Sequence, residues 1–136
     1  MATLNKFNRL TQDLLLGTHI FGTHVFKLLL TNTLPVVTNT VIGNITQIAN
    51  GNGYTTGGLT VTLGAPSTAS GVAKVVATDL VITASGALGP FRYGVLYNDT
   101  AASDPLIGWI DLGQLTLANL DTHTVDFNAS NGLFTL

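Results

Sequence analysis

Hydrophobic residues alternate with threonine along much of this chain. The pattern is plainest at Gly58–Gly64, where Leu59, Val61 and Leu63 fall on one side and Thr60 and Thr62 on the other. That period of two is the mark of a half-buried strand. The same reasoning predicts strands at Val25–Asn32, Gly43–Ala49, Pro90–Asn98, Leu106–Leu112, Leu115–Ala118, Thr122–Phe127 and Leu133–Leu136. Gly71–Ala84 reads either as one long strand or as a hairpin turning at Thr78–Asp79. Turn chemistry separates these runs: NGNG at Asn50–Gly53, APSTASG at Ala65–Gly71, and a polar loop at Asn98–Pro105. One stretch has a helical period. From Asn5 to Leu16 the apolar positions Phe7, Leu10, Leu14 and Leu15 form a stripe, with Asn5 placed to cap it and Gly17 placed to end it. The expected fold is mainly β: a single-domain antiparallel β-sandwich, jelly-roll-like, with a short N-terminal helix or arm over residues 1–24 and the sandwich over 25–136.

Composition then adds an anomaly. The chain has 136 residues and is 46% hydrophobic, which is ordinary, but only 9% are charged, against about 25% in a typical domain. Every acidic residue is Asp. A folded chain of this mass exposes about 6,800 Å². Five basic and seven acidic side chains then leave one charge per roughly 560 Å², so a standard contact patch of about 800 Å² holds one or two. The stretch FKLLLTNTLPVVTNTVIGNITQI, Phe26–Ile48, has no charge after Lys27. Depleted charge marks the cores of interfaces better than bulk hydrophobicity does. The composition therefore suggests a surface that meets other subunits. The plainer reading is a neutral, Thr-rich β-domain of a surface array.

Several classes of function lose support. Net charge is −2, and Lys6, Arg9, Lys27, Lys74 and Arg92 are scattered, so no basic patch for nucleic acid is expected. No apolar run reaches the ~20 residues of a membrane span. Lys6, Arg9 and Asp13 fall where the apolar part of a signal peptide would lie, which favours assembly in the cytoplasm. There is no cysteine and no G-x-S-x-G elbow, and the serines sit in turn-like stretches. Asp99, Asp104 and Asp111 are the only carboxylate cluster, and Asp104 before Pro105 reads as turn chemistry. Asn98, Asp99 and Asp104 offer three oxygens, short of the six to eight that calcium takes. His19 and His24 are five apart, a spacing that shares no face of a helix or strand, and His123 is distant. The expectation is no enzyme, no cofactor and no metal.

The stretch GPFRYGVLYNDTAASDPLIGWID, Gly89–Asp111, is the most specific in the chain. It places Phe91, Tyr93, Val95 and Tyr97 on one expected face, turns, and returns with Leu106, Ile107, Trp109 and Ile110. Such aromatics either fill a sandwich core or, where exposed, anchor an interface. Three segments, FNRLTQDLLLGTHIF, FKLLLTNTLP and FRYGVLYNDTAASDPLIGWIDLG, together resemble small virion proteins of tailed bacteriophages, of the capsid decoration or cement class. The resemblance runs from Phe7 to Gly113 and rests on structural motifs, so it transfers no site residue.

The resemblance implies a compact β-module, often a dimer or trimer, that binds the major capsid protein and clamps neighbouring capsomers. The chain would then be a non-enzymatic structural protein of the capsid exterior in the virion, assembled in the host cytoplasm, without nucleic-acid or membrane partners. Candidate contact residues are Phe7, Leu10, His19 and Phe21 near the N-terminus, Thr31, Asn32 and Asn39 in the uncharged segment, and Tyr97, Asp99 and Trp109 around the aromatic hairpin. The alternative is a tail or fibre component that binds carbohydrate or a receptor, with Trp109 or Tyr97 beside Asp99 as its stacking platform.

Overall fold

Three consecutive leucines, Leu28–Leu30, do not suit a strand with one wet face, because neighbours point to opposite sides. They suit a strand covered on both. The computed structural model, which describes residues 4–134 and 136, places them accordingly. Phe26–Thr31 (β2) lies inside a five-stranded antiparallel sheet, with all three leucines buried. Its neighbours are Leu88–Asn98 (β7) on one side and the short Leu59–Val61 (β3) on the other. Leu106–Leu117 (β8) pairs with β7, and Asn5–Lys6 (β1) closes the far edge on β8. Gly58, at φ +87°, brings the chain so close to β2 that a Cβ there would sit 2.1 Å from the Leu28 carbonyl oxygen. Only glycine fits such an approach.

The sheet has two unlike covers. On one face Phe26, Leu28, Leu30, Leu96 and Ile110 join a core completed by Ile82, Val125 and Phe127. Ile82 and Val125 come from a second antiparallel pair, Leu80–Thr83 (β6) with Thr122–Val125 (β9). On the opposite face Leu29, Val95, Tyr97 and Leu106 form a smaller cluster with Phe7, flanked by Ile42, Ile45 and Trp109. That cover is irregular, with a single 3-10 turn at Ile42–Asn44. The result is one small, mainly β domain built as an antiparallel sandwich, with an accessible surface of 6,699 Å². Among the described residues no helix is long and apolar enough to cross a membrane.

Local structure departs from the expectations in instructive ways. The helix (α1) is Arg9–Leu15, shorter than Asn5–Leu16, because Asn5 and Lys6 are drawn into strand pairing with Trp109 and Gly108. Gly17 does end it, at φ +75°. Residues 4–24 pack on the chain's own sheet, with Leu4 and Leu10 in the main core and Phe7 in the smaller one; residues 1–3 of the expected N-terminal helix or arm lie outside the described residues.

The expected strand Gly43–Ala49 is absent, and hydrogen bonds from side chains take the place of a ladder there. The expected loop Ala65–Gly71 instead contains Ser67–Ala69 (β4), which pairs with Val72–Lys74 (β5). Ser70 and Gly71 form the turn at φ +51° and +78°, as the tightest hairpins require. Gly71–Ala84 is neither one strand nor a hairpin, since β5 and β6 pair with different partners. Leu106–Leu112 and Leu115–Ala118 merge into β8. In place of a strand at Leu133–Leu136, Leu133, Phe134 and Leu136 are irregular, and Thr135 lies outside the described residues. Irregular pairing on either side of Phe91 turns its ring into the main core, so it does not share a face with Tyr93, Val95 and Tyr97.

Candidate interface surface

The three regions proposed as contacts lie far apart in sequence, yet the fold brings them together. The Asn8 N–H donates to the Val37 carbonyl at 3.0 Å, tying the start of α1 to the uncharged segment. Ile42 N–H donates to Asp104 O at 3.1 Å and Leu106 N–H to Thr40 O at 2.9 Å, tying that segment to the 98–105 loop. Between them lies a cleft of about 420 Å³ walled by Arg9, Asp13, Thr18, Thr40, Val41 and Ser103. Arg9 Nε donates to Asp13 Oδ1 at 3.1 Å along its inner side.

Individual candidates divide by burial. Phe7, Leu10, His19, Thr31 and Tyr97 are buried within this chain and offer no side-chain surface to a partner. Phe7 stacks at a tilt on Trp109, with ring centroids 4.8 Å apart. Tyr97 fills the smaller core and donates its hydroxyl to Gly57 O at 2.6 Å. Burial, then the neighbouring Asp99 charge, raises its pKa well above the usual tyrosine range. Phe21, Asn39 and Trp109 are half-buried, and Asn32 and Asp99 are exposed. Asp99 pairs with Lys27 at 3.1 Å. Burial and the Asp99 charge together raise the Asp104 pKa.

The polar residues of the uncharged segment largely serve its own backbone. Asn44 Oδ1 accepts from Thr40 N–H and Val41 N–H, at 3.0 and 3.2 Å. Asn39 Oδ1 accepts from Val36 N–H at 2.9 Å. Thr31 Oγ1 donates to Thr46 O and accepts from Thr33 N–H. Gln47 Oε1 accepts from the Tyr54 hydroxyl at 2.7 Å and from Gly57 N–H at 2.8 Å. A segment without ladder bonds must satisfy its peptide groups in some other way, and Asn and Thr do so locally. Beside exposed polar residues such as Asn32 and Thr38, this surface presents large apolar groups outward: Leu34 is 61% exposed and Val36 55%, beside the start of α1, while Leu15 is 87% exposed and Leu16 67%, at its end. The LLL run at 14–16 and the LPVV run at 34–37 are wider than a single buried stripe, which is the signal that marks these residues in the sequence. Residues 28–73 contain no Asp, Glu, Lys, Arg or His.

Possible chemical sites resolve differently. His19 and His24 do meet, around Asn98, whereas His123 lies on β9 opposite Ile82. In the 98–105 loop the turn-making side chain is Asn98, not Asp104: its Oδ1 accepts from Thr100 N–H at 2.9 Å and Ala101 N–H at 3.1 Å. Among the described residues no group of three or more His, Asp or Glu side chains is arranged to hold a metal. Comparison of the chain with family models, with curated proteins and with solved structures finds no match.

Proposed function

We propose that this chain is a non-enzymatic structural module of a virion, a capsid decoration protein that binds the major capsid protein and stabilises the shell. One observation carries the reading: Leu15, Leu16, Leu34 and Val36 are exposed at the two ends of α1, and the last two belong to a charge-free run covering residues 28–73. Exposed apolar groups are costly in water and favourable against a partner. Weak contacts of this kind, repeated over a lattice, add up through effective concentration. The resemblance in the sequence supplies the partner. The reading as a carbohydrate-binding tail component draws less support, because Tyr97 is buried and Trp109 is packed on Phe7.

The test mixes purified chain with undecorated shells and sediments them. Cosedimentation at a stoichiometry that saturates with the capsid lattice is expected. The Leu15→Ser/Leu16→Ser variant should fold normally, since exposed substitutions usually cost within about 0.5 kcal/mol, and should bind at least tenfold more weakly. Absence of binding to shells, together with retention on a glycan array, would replace this reading with the tail alternative.

A further inference from the structure

Asn98 is fully buried at the end of β7. Its amide orientation is fixed, because Oδ1 accepts two backbone N–H groups, from Thr100 and Ala101. The amide nitrogen therefore faces the other way, with two hydrogens to donate. It meets His24 Nδ1 at 2.9 Å, His19 Nδ1 at 3.1 Å and, at a longer 3.4 Å, the Thr18 carbonyl. An imidazole nitrogen accepts a hydrogen bond only when it carries no proton. Both rings are thus held as the neutral form with hydrogen on Nε2. The Ile20 N–H, 3.4 Å from His24 Nδ1, points to the same tautomer.

We propose that Asn98 and the two neutral histidines form a latch that holds residues 18–24 on the end of β7 and opens when either imidazole takes up a proton. A proton on Nδ1 would set N–H against N–H at the buried amide, turning an attraction into a repulsion and leaving a buried donor unpaired. Hydrogen bonds hold the segment at its ends, where Thr18 N–H donates to Asp13 O at 2.9 Å and Val25 is held by Thr100 Oγ1 at 2.8 Å and by Asp99 N–H at 2.9 Å. Between them Phe21 stacks on Phe26 at 4.6 Å and meets Phe134 edge-on at 5.5 Å.

Other groups near the histidines act in both directions. Asp13 on α1 lies 3.8 Å from His19 Nε2, and neither Asp13 Oδ2 nor His19 Nε2 has a hydrogen-bond partner. Its charge favours a protonated His19, though Arg9 partly neutralises it. Burial, the larger influence, and the neighbouring His24 oppose that protonation. From β2 come the Phe26 ring, 6.3 Å from His19, and Lys27, which is paired with Asp99. His24 is half-buried, so water reaches it without prior opening.

Two measurements decide the matter. Nitrogen NMR of the wild-type histidines at pH 7.5 should show Nδ1 of both His19 and His24 unprotonated; a proton on either Nδ1 overturns the latch. Amide hydrogen exchange, corrected for intrinsic rates, should show protection over residues 18–24 falling about tenfold between pH 7.5 and 5.0, with β2 and β7 unchanged. Unchanged protection at 18–24, or an equal loss across the whole chain, overturns it too. Asn98→Asp puts an acceptor where the donor stood, so protection at 18–24 should rise, not fall, as the pH drops. If that variant does not fold, the wild-type tautomers still give the answer.

Discussion

The two faces of the central sheet are made by the same strands and covered by opposite means. On the main face strands β6 and β9 lay Ile82 and Val125 against Phe26, Leu28 and Leu30. On the other face Leu29, Val95 and Tyr97 lie beneath Phe7 and an irregular, uncharged segment. A strand cover satisfies its peptide groups by pairing, which frees its side chains for packing. The irregular cover uses Asn39, Asn44 and Thr31 to satisfy its own backbone. The comparison changes the meaning of the Asn and Thr content. Much of it substitutes for a missing ladder, and the apolar groups left over, such as Leu34 and Val36, point outward.

Leu28 and Leu29 test the comparison most severely, being adjacent, identical and both fully buried on opposite faces. A cavity costs most where its surroundings cannot collapse into it. Leu28 packs tightly, since a Cβ placed at Gly94 would meet its side chain at 3.0 Å. Leu28→Ala should therefore cost about 4 kcal/mol and Leu29→Ala about 2–3 kcal/mol, read by urea denaturation. Equal losses would mean that the irregular cover is as rigid as the strand pair.

Tyr54 joins the two regions and gives the next largest effect. Its ring is in the main core, while its hydroxyl accepts from Leu30 N–H at 3.2 Å and donates to Gln47 at 2.7 Å. Tyr54→Phe should cost about 1–3 kcal/mol, because it leaves a buried Leu30 N–H unpaired. A neutral result in the same denaturation experiment would show that water replaces the hydroxyl, and that the cover is looser than the hydrogen bonds imply.

These contrasts also show what a reader of the sequence can see. Several strands were legible: alternation gave β3, β7 and β9 nearly in place, whereas β6, the partner of β9, was hidden within Gly71–Ala84. The irregular cover was not legible, because TNTLPVVTNTVIGNITQI has strand-forming composition and no local sign that its Asn side chains turn back on the backbone. Alternation predicts the wrong face for Phe91, because irregular pairing on either side of it breaks the period of two. The candidate surface was legible in part. The three regions do meet in the fold, yet Phe7, Leu10 and Tyr97 look available in the sequence only because burial is a tertiary property, while the exposed Leu15 reads as part of the helix's inner stripe.

Acid should separate the regions further. Burial, more than any charge, lowers the His19 pKa below its ordinary 6.5. As pH falls past that value the unfolded chain takes up a proton that the folded chain resists, so stability is full above about 6.5 and declines below it, down to the folded-state pKa. Thermal melts at pH 7.5, 6.5 and 5.5 should show this decline in the wild type and a shallower one in His19→Gln. Parallel curves would remove His19 as the cause.

The smallest effect bears most directly on function. Asn44 is exposed, yet its Oδ1 serves Thr40 N–H and Val41 N–H. Asn44→Ala should cost about 1 kcal/mol, a fall in melting temperature of about 4 °C, whereas Asn44→Asp keeps an acceptor oxygen and should lose less. If alanine is neutral in the isolated chain, the amide contributes nothing to its own fold, and a loss of shell binding in that variant would assign it to the partner. If alanine destabilises while binding per folded molecule is unchanged, the polar groups of this cover hold the surface in shape, and the exposed leucines and valines do the holding.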